Sequence, residues 1–158
     1  MTTSIKRRVF LKGTMAAGAT SAAVMAGLLT PQAVIAAWNE NAFSAESEKD
    51  AINSAMGNSS TATSADITIK APDIAENGAV VPVSVSTSIA DVTSIALLVE
   101  KNGTPMSALF NLPKGTLADV STRLKMGKTG DVIAVVKADG KLYSARKSVK
   151  VTIGGCGG

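Results

Sequence analysis

The chain has 158 residues, enough for one domain of ordinary size plus a targeting segment. It carries sixteen basic and twelve acidic side chains, a single cysteine and no histidine. A lone cysteine forms no internal disulfide, and without histidine the chain lacks the commonest general base, the commonest metal ligand and any Cys-His nucleophile, so neither a metal centre nor self-contained catalysis is expected.

Residues 1–36 read as a secretory signal. The basic run Lys6, Arg7 and Arg8 precedes Val9-Phe10-Leu11-Lys12, and a weakly apolar stretch runs from Gly13 to Leu29. Pro31 breaks it, Val34-Ile35-Ala36 places small or compact residues where a signal peptidase reads, and no acidic residue occurs before Glu40. The adjacent pair Arg7 and Arg8 predicts the twin-arginine route and a periplasmic location. An apolar stretch of about 17 residues diluted by Gly and Thr is short for a membrane span, so no membrane association is expected after cleavage. Removing the signal takes away Lys6, Arg7, Arg8 and Lys12. Twelve of the sixteen basic groups then remain against twelve acidic ones, and the mature chain is formally neutral. Its basic isoelectric point is therefore a property of the targeting segment. With only Trp38, Phe43, Phe110 and Tyr143 as aromatic platforms, nucleic acid is not an expected partner.

The segment 37–64 is expected to hold a short helix and a linker. Over 38–57, Phe43, Ile52, Ala55 and Met56 lie near one face and Glu46, Glu48, Lys49 and Asp50 mainly on the other, with Gly57 as the stop. Asn58 to Ser64 is a small polar linker.

From 65 to 153 the texture becomes that of strands. Val81, Val83 and Val85 alternate with Pro82, Ser84 and Ser86, the pattern of a half-buried strand. Ile95–Val99 and Val132–Val136 are apolar runs suited to burial on both faces. Val120, Thr122, Leu124 and Met126 share parity, as do Tyr143, Ala145, Val149, Val151 and Ile153 along a last strand. Asn77-Gly78, Asn102-Gly103 and Asp139-Gly140 tolerate positive φ and favour two-residue hairpin turns. About seven short strands without long helices predict an all-β, immunoglobulin-like antiparallel β-sandwich with a short N-terminal helix; a barrel is the alternative. The carboxylates Asp73, Glu76 and Asp131 are expected to be solvated turn residues, with nothing to place them as an acid/base pair.

The chain then ends Gly154-Gly155-Cys156-Gly157-Gly158. Nothing in this segment except the thiol can bury apolar area, and glycine loses the most backbone entropy on ordering, so a mobile arm is expected. Extended, its five residues span at most about 17 Å. An arm without side chains around its reactive group can thread a narrow cleft, which suits a group carrier visiting several active sites. The nearby terminal carboxylate and the lack of Lys or Arg in the arm disfavour a thiolate, so the chemistry falls to the enzymes it visits. The alternative is a structural β-sandwich dimerised by a Cys156 interchain disulfide, which an oxidising compartment permits. A terminal Gly-Gly is also shared with ubiquitin-like sulfur carriers, but their ATP-dependent activation does not fit an exported chain.

Four features, Lys6-Arg7-Arg8-Val9-Phe10-Leu11-Lys12, the segment Ala71 to Val83, the segment Val149 to Ile153 and the terminal Gly-Gly-Cys-Gly-Gly, resemble the SoxY family, sulfur-carrying subunits of the periplasmic SoxYZ thiosulfate-oxidation complex. The resemblance implies that Cys156 is conjugated with thiosulfate by a haem-containing partner and relieved of sulfate by a hydrolase. The sulfane sulfur left behind would be oxidised by a sulfane dehydrogenase or passed on. It also implies a SoxZ-like β-sandwich subunit as heterodimer partner. No resident cofactor is implied; the group held is the covalent sulfur adduct on Cys156.

Overall fold

The computed structural model describes residues 39–153. The expected signal with Arg7 and Arg8, and the arm residues Gly154, Gly155, Cys156, Gly157 and Gly158, lie outside the described residues.

The helix expected over 38–57 is two helices, α1 (Glu40–Ser44) and α2 (Glu48–Met56). Asn39 caps the first, its Oδ1 accepting from Ala42 N at 3.2 Å. The break arises from a second cap: Ser47 is extended, and its Oγ accepts from Asp50 N at 3.1 Å. Gly57 closes α2 in the left-handed region at φ 79°, donating to Asn53 O at 2.8 Å.

Among the described residues nine strands come after the helices: β1 (Ala62–Thr63), β2 (Ile67–Lys70), β3 (Ile74–Ala75), β4 (Val81–Thr87), β5 (Val92–Val99), β6 (Met106–Asn111), β7 (Asp119–Leu124), β8 (Gly130–Ala138) and β9 (Lys141–Val151). Two of them, β1 and β3, are only two residues long, which leaves the seven longer strands of an immunoglobulin-like sandwich. The larger sheet runs β1-β9-β8-β5-β6, with β3 also on β9; the smaller runs β2-β4-β7. Pairing is antiparallel except for β1 and β3, which lie parallel to β9. The polar linker thus contributes an edge strand.

The two sheets face each other across a core built by period-two alternation. Val81, Val83 and Val85 enter it from β4, Val120 and Leu124 from β7, and Ile95, Leu97, Val99, Val132, Ala134 and Val136 from β5 and β8. The remaining parity of β5 and β8, namely Ala96, Leu98, Ile133 and Val135, points to the other side of the larger sheet. There it is covered by Ala42, Ala51, Ile52 and Met56 of the helices. That second layer explains why the two central strands are apolar on both faces. Each buried Val, Leu, Ile or Met among them contributes about 1.5–3 kcal/mol. The Arg146 guanidinium pairs with the Glu48 carboxylate, tying the start of α2 to β9 and raising the Arg146 pKa.

Of the three expected hairpin turns, one has that form. Asp139 and Gly140, at φ 47° and 70°, are the whole connection between β8 and β9, and both central residues are left-handed as a primed turn demands. Asn102-Gly103 lies within a longer β5–β6 connection, where Asn102 Nδ2 donates to Lys125 O at 2.7 Å and Oδ1 accepts from Gly127 N at 3.0 Å. Asn77-Gly78 joins β3 to β4, which belong to different sheets, so it makes a crossover.

Candidate functional site

The residues expected to carry the function, Cys156 and its four glycines, begin immediately after Ile153, the last residue described. The structure shows the ground from which that segment departs. Strand β9 outlasts its partner: the final β8–β9 pair at this end is Gly130 with Val149. Beyond it the Thr129 hydroxyl replaces the missing backbone partner, accepting from Val151 N at 2.9 Å and donating to Val151 O at 3.3 Å.

The other edge of β9 is held by β3, with Ile74 opposite Lys150 and Ala75 opposite Val151. Lys150 N donates to Asp73 O at 2.9 Å and Thr152 N to Ala75 O at 3.1 Å. The Thr152 hydroxyl donates to Glu76 O at 3.1 Å. Last, Gly78 N donates to Ile153 O at 2.8 Å while Gly78 O accepts from Met126 N at 2.6 Å. One glycine therefore ties the end of the described chain to the loop after β7.

Asn77 is the turn residue its sequence context predicts: its Oδ1 accepts from Ala79 N at 2.9 Å and its carbonyl from Val80 N at 3.4 Å. Asp73 and Glu76 flank β3 as expected of connecting residues. Asp131 differs, because it lies in β8 opposite Ser148 and not in a turn; its backbone N–H donates to Glu100 Oε2 at 3.4 Å. The Asp73 carboxylate accepts from Lys147 Nζ at 2.7 Å, and this hydrogen bond and charge hold its pKa below the ordinary value. Side chains recruited to the root that sequence reasoning missed are Thr129 and Thr152. A threonine in a Lys-Thr-Gly loop and one near a strand end carry no signal separating them from solvated polar residues.

Three of the four exposed large apolar side chains among the described residues, Ile74 (57%), Val80 (51%) and Ile153 (67%), border this root. The fourth, Leu117, stands on the rim of an open groove of about 880 Å³ lined by the 87–93 and 112–118 loops and the Asp139-Gly140 turn. That groove is at the opposite end of the sandwich, about 35 Å away along the eleven residues of β9. Its charged lining residues are Asp91, Lys114 and Asp139. Among the described residues no group of three or more His, Cys, Asp or Glu side chains converges as a metal site would require, and no helix is long and apolar enough to cross a membrane.

Residues 52–156 match the family described as Sulfur oxidation protein SoxY. Among solved structures, the chain is similar to the sulfur carrier protein SoxY from Chlorobium limicola f thiosulfatophilum at 47% identity. That match covers 66% of this chain and 94% of the other, with a TM-score of 0.60. Another match is a superoxide reductase (neelaredoxin) from Ignicoccus hospitalis, at 26% identity over 54% and 79% of the two chains and a TM-score of 0.49. A search of curated proteins finds no match.

Proposed function

Since the chain belongs to the SoxY family, we propose that it is an exported sulfur carrier whose Cys156 covalently holds the intermediates of thiosulfate oxidation. The observation that carries this reading is the extent of the family match, which runs to residue 156 and so reaches the only cysteine. The fold adds a rationale. The last strand is secured up to Ile153, and beyond it the sequence places a thiol with glycine on either side.

In the first step the Cys156 thiolate and thiosulfate form one sulfur–sulfur bond, giving a cysteine S-thiosulfonate. The two electrons released go to a haem-containing conjugating partner. Water then cleaves the terminal sulfur–sulfonate bond in a hydrolase, releasing sulfate and two protons and leaving the persulfide. Six-electron oxidation of the outer sulfur, with three waters supplying oxygen and six protons released, converts the persulfide into an S-sulfonate on the same anchor; the electron acceptor is a sulfane dehydrogenase. A second hydrolysis, with one water, cleaves the S-sulfonate, releasing sulfate and two protons and returning the Cys156 thiolate, so the protein is recovered after each round. A SoxZ-like β-sandwich is the proposed heterodimer partner, and a resident cofactor has no part in the scheme. The twin-arginine signal at Arg7 and Arg8 would deliver the chain to the periplasm.

The apolar side chains around the root, Ile74, Val80 and Ile153, offer an enzyme entrance something to rest against while the arm is inserted. The decisive test is intact-mass analysis of the mature chain from cells grown on thiosulfate. Sulfur adducts are expected on the Cys156 peptide and are lost entirely in Cys156→Ser. A wild-type chain free of adducts under all growth conditions, and working only as a permanent disulfide-linked dimer, would show that the thiol is structural.

A further inference from the structure

The end of β9 is held more elaborately than a strand terminus needs. A hydroxyl takes both backbone positions of Val151, two carbonyls of the 73–76 segment take the amides of Lys150 and Thr152, and Gly78 takes the carbonyl of Ile153. These partners come from two separate segments, residues 73–78 and the β7–β8 connection that holds Met126 and Thr129. The Met126 N to Gly78 O bond joins the two. We infer that Thr129 and Thr152, with the backbone of Gly78, are positioning residues for the carrier function: they fix the arm's origin at Ile153 and thereby set the reach of the Cys156 sulfur. The inference rests on the carrier reading above.

The physical consequence is one of effective concentration. From a fixed Ile153, Cys156 is three residue steps away, past Gly154 and Gly155, a reach of at most about 10 Å. If the hold on 151–153 is lost, the tether to Cys156 lengthens from three residue steps to about six. The local concentration of a tethered group falls roughly as the −3/2 power of tether length, so about threefold here. Val151 is where the clamp is most exposed to mutation, because its partner on the β8 side is a single hydroxyl and not a ladder.

The experiment uses the full mature chain, with a nitroxide on Cys156, the sole cysteine. Thr129→Val keeps the shape of the side chain and removes the hydroxyl. It should speed exchange of the Val151 amide about fivefold, the loss of one ordinary hydrogen bond, and narrow the nitroxide spectrum. Thr152→Val should narrow the spectrum similarly, and Thr129→Ser, which retains the hydroxyl, should restore both readings. Unchanged Val151 exchange and an unchanged spectrum in Thr129→Val would overturn the inference. So would a uniform acceleration of all β8 and β9 amides, since that is global destabilisation. Cys156 adducts, read by mass in unlabelled preparations from thiosulfate-grown cells, separate the two proposals. Adducts with an unaltered root overturn the clamp alone. An altered root with no wild-type adducts overturns the carrier reading and leaves the root geometry standing.

Discussion

Strand β9 is secured at its two ends by opposite means. At Lys141 the holding interaction is local: Asp139 and Gly140 turn the backbone through two left-handed residues straight into β8. At Val151–Ile153 it is assembled from afar, by residues 73–78, 126 and 129. The difference is instructive because a hairpin returns the chain to the sheet, whereas Val151–Ile153 run past the last β8 pair, Gly130 with Val149. There the strand is stitched from the side, by the 73–78 segment and the Thr129 hydroxyl.

The largest effect should come from a substitution that does not respect the comparison at all. Leu97 is fully buried between the sheets. Leu97→Ala should cost about 2–5 kcal/mol and lower the denaturant midpoint without changing its slope, loosening both ends alike. Gly140→Val attacks the local end: a β-branched side chain at φ 70° should destabilise by about 1–3 kcal/mol. Amide exchange should rise around 138–142 while Val151 keeps its protection relative to global unfolding. Thr129→Val attacks the other end, with about 1 kcal/mol or less of global stability lost and the change concentrated at Val151.

The smallest effect is in pH. Asp73 has a lowered pKa because it accepts from Lys147, so its charge favours the folded state above its unfolded value, near 3.8. That contribution is lost as pH falls below this value and through the lower folded pKa. An NMR titration should place Asp73 below the ordinary aspartate range, with Lys150 exchange rising in acid, and Asp73→Asn should abolish that rise. Because the carboxylate is exposed, the change in overall stability should be small. An ordinary titration at Asp73 would show that the ion pair does not form in solution.

Much of the sandwich is legible residue by residue. The alternation of Val81, Val83 and Val85 identifies β4 and its buried face, Gly57 stops the helix where its left-handed φ is required, and Asp139-Gly140 marks the one tight hairpin. The two-faced apolar runs of β5 and β8 indicate a covered sheet but not its cover, since Ile52 and Met56 are close in space to Leu98 and Ile133 only once the chain is folded. The break at Ala45–Ser47 escapes the pattern because a serine cap competes with a continuous apolar stripe. Strand β9, expected to reach Ile153, ends as a ladder at Val151, because the alternating pattern continues after the paired backbone has stopped. At the candidate site, the thiol and its glycines stand out from sequence, while Thr129 and Thr152 at the end of β9 do not.

The sequence by itself determined what depends on neighbours along the chain: strand periodicity, the glycine stop, the primed turn and a lone sulfhydryl set among residues without side chains. Tertiary structure alone decided that β3 lies parallel to β9, that the helices roof the larger sheet, and that Thr129 grips Val151. The reason is physical. Periodicity and backbone preference act over a few residues, but a hydroxyl has the same local chemistry whether it meets water or a strand brought from 22 positions away, and only the packing of the two sheets selects between them.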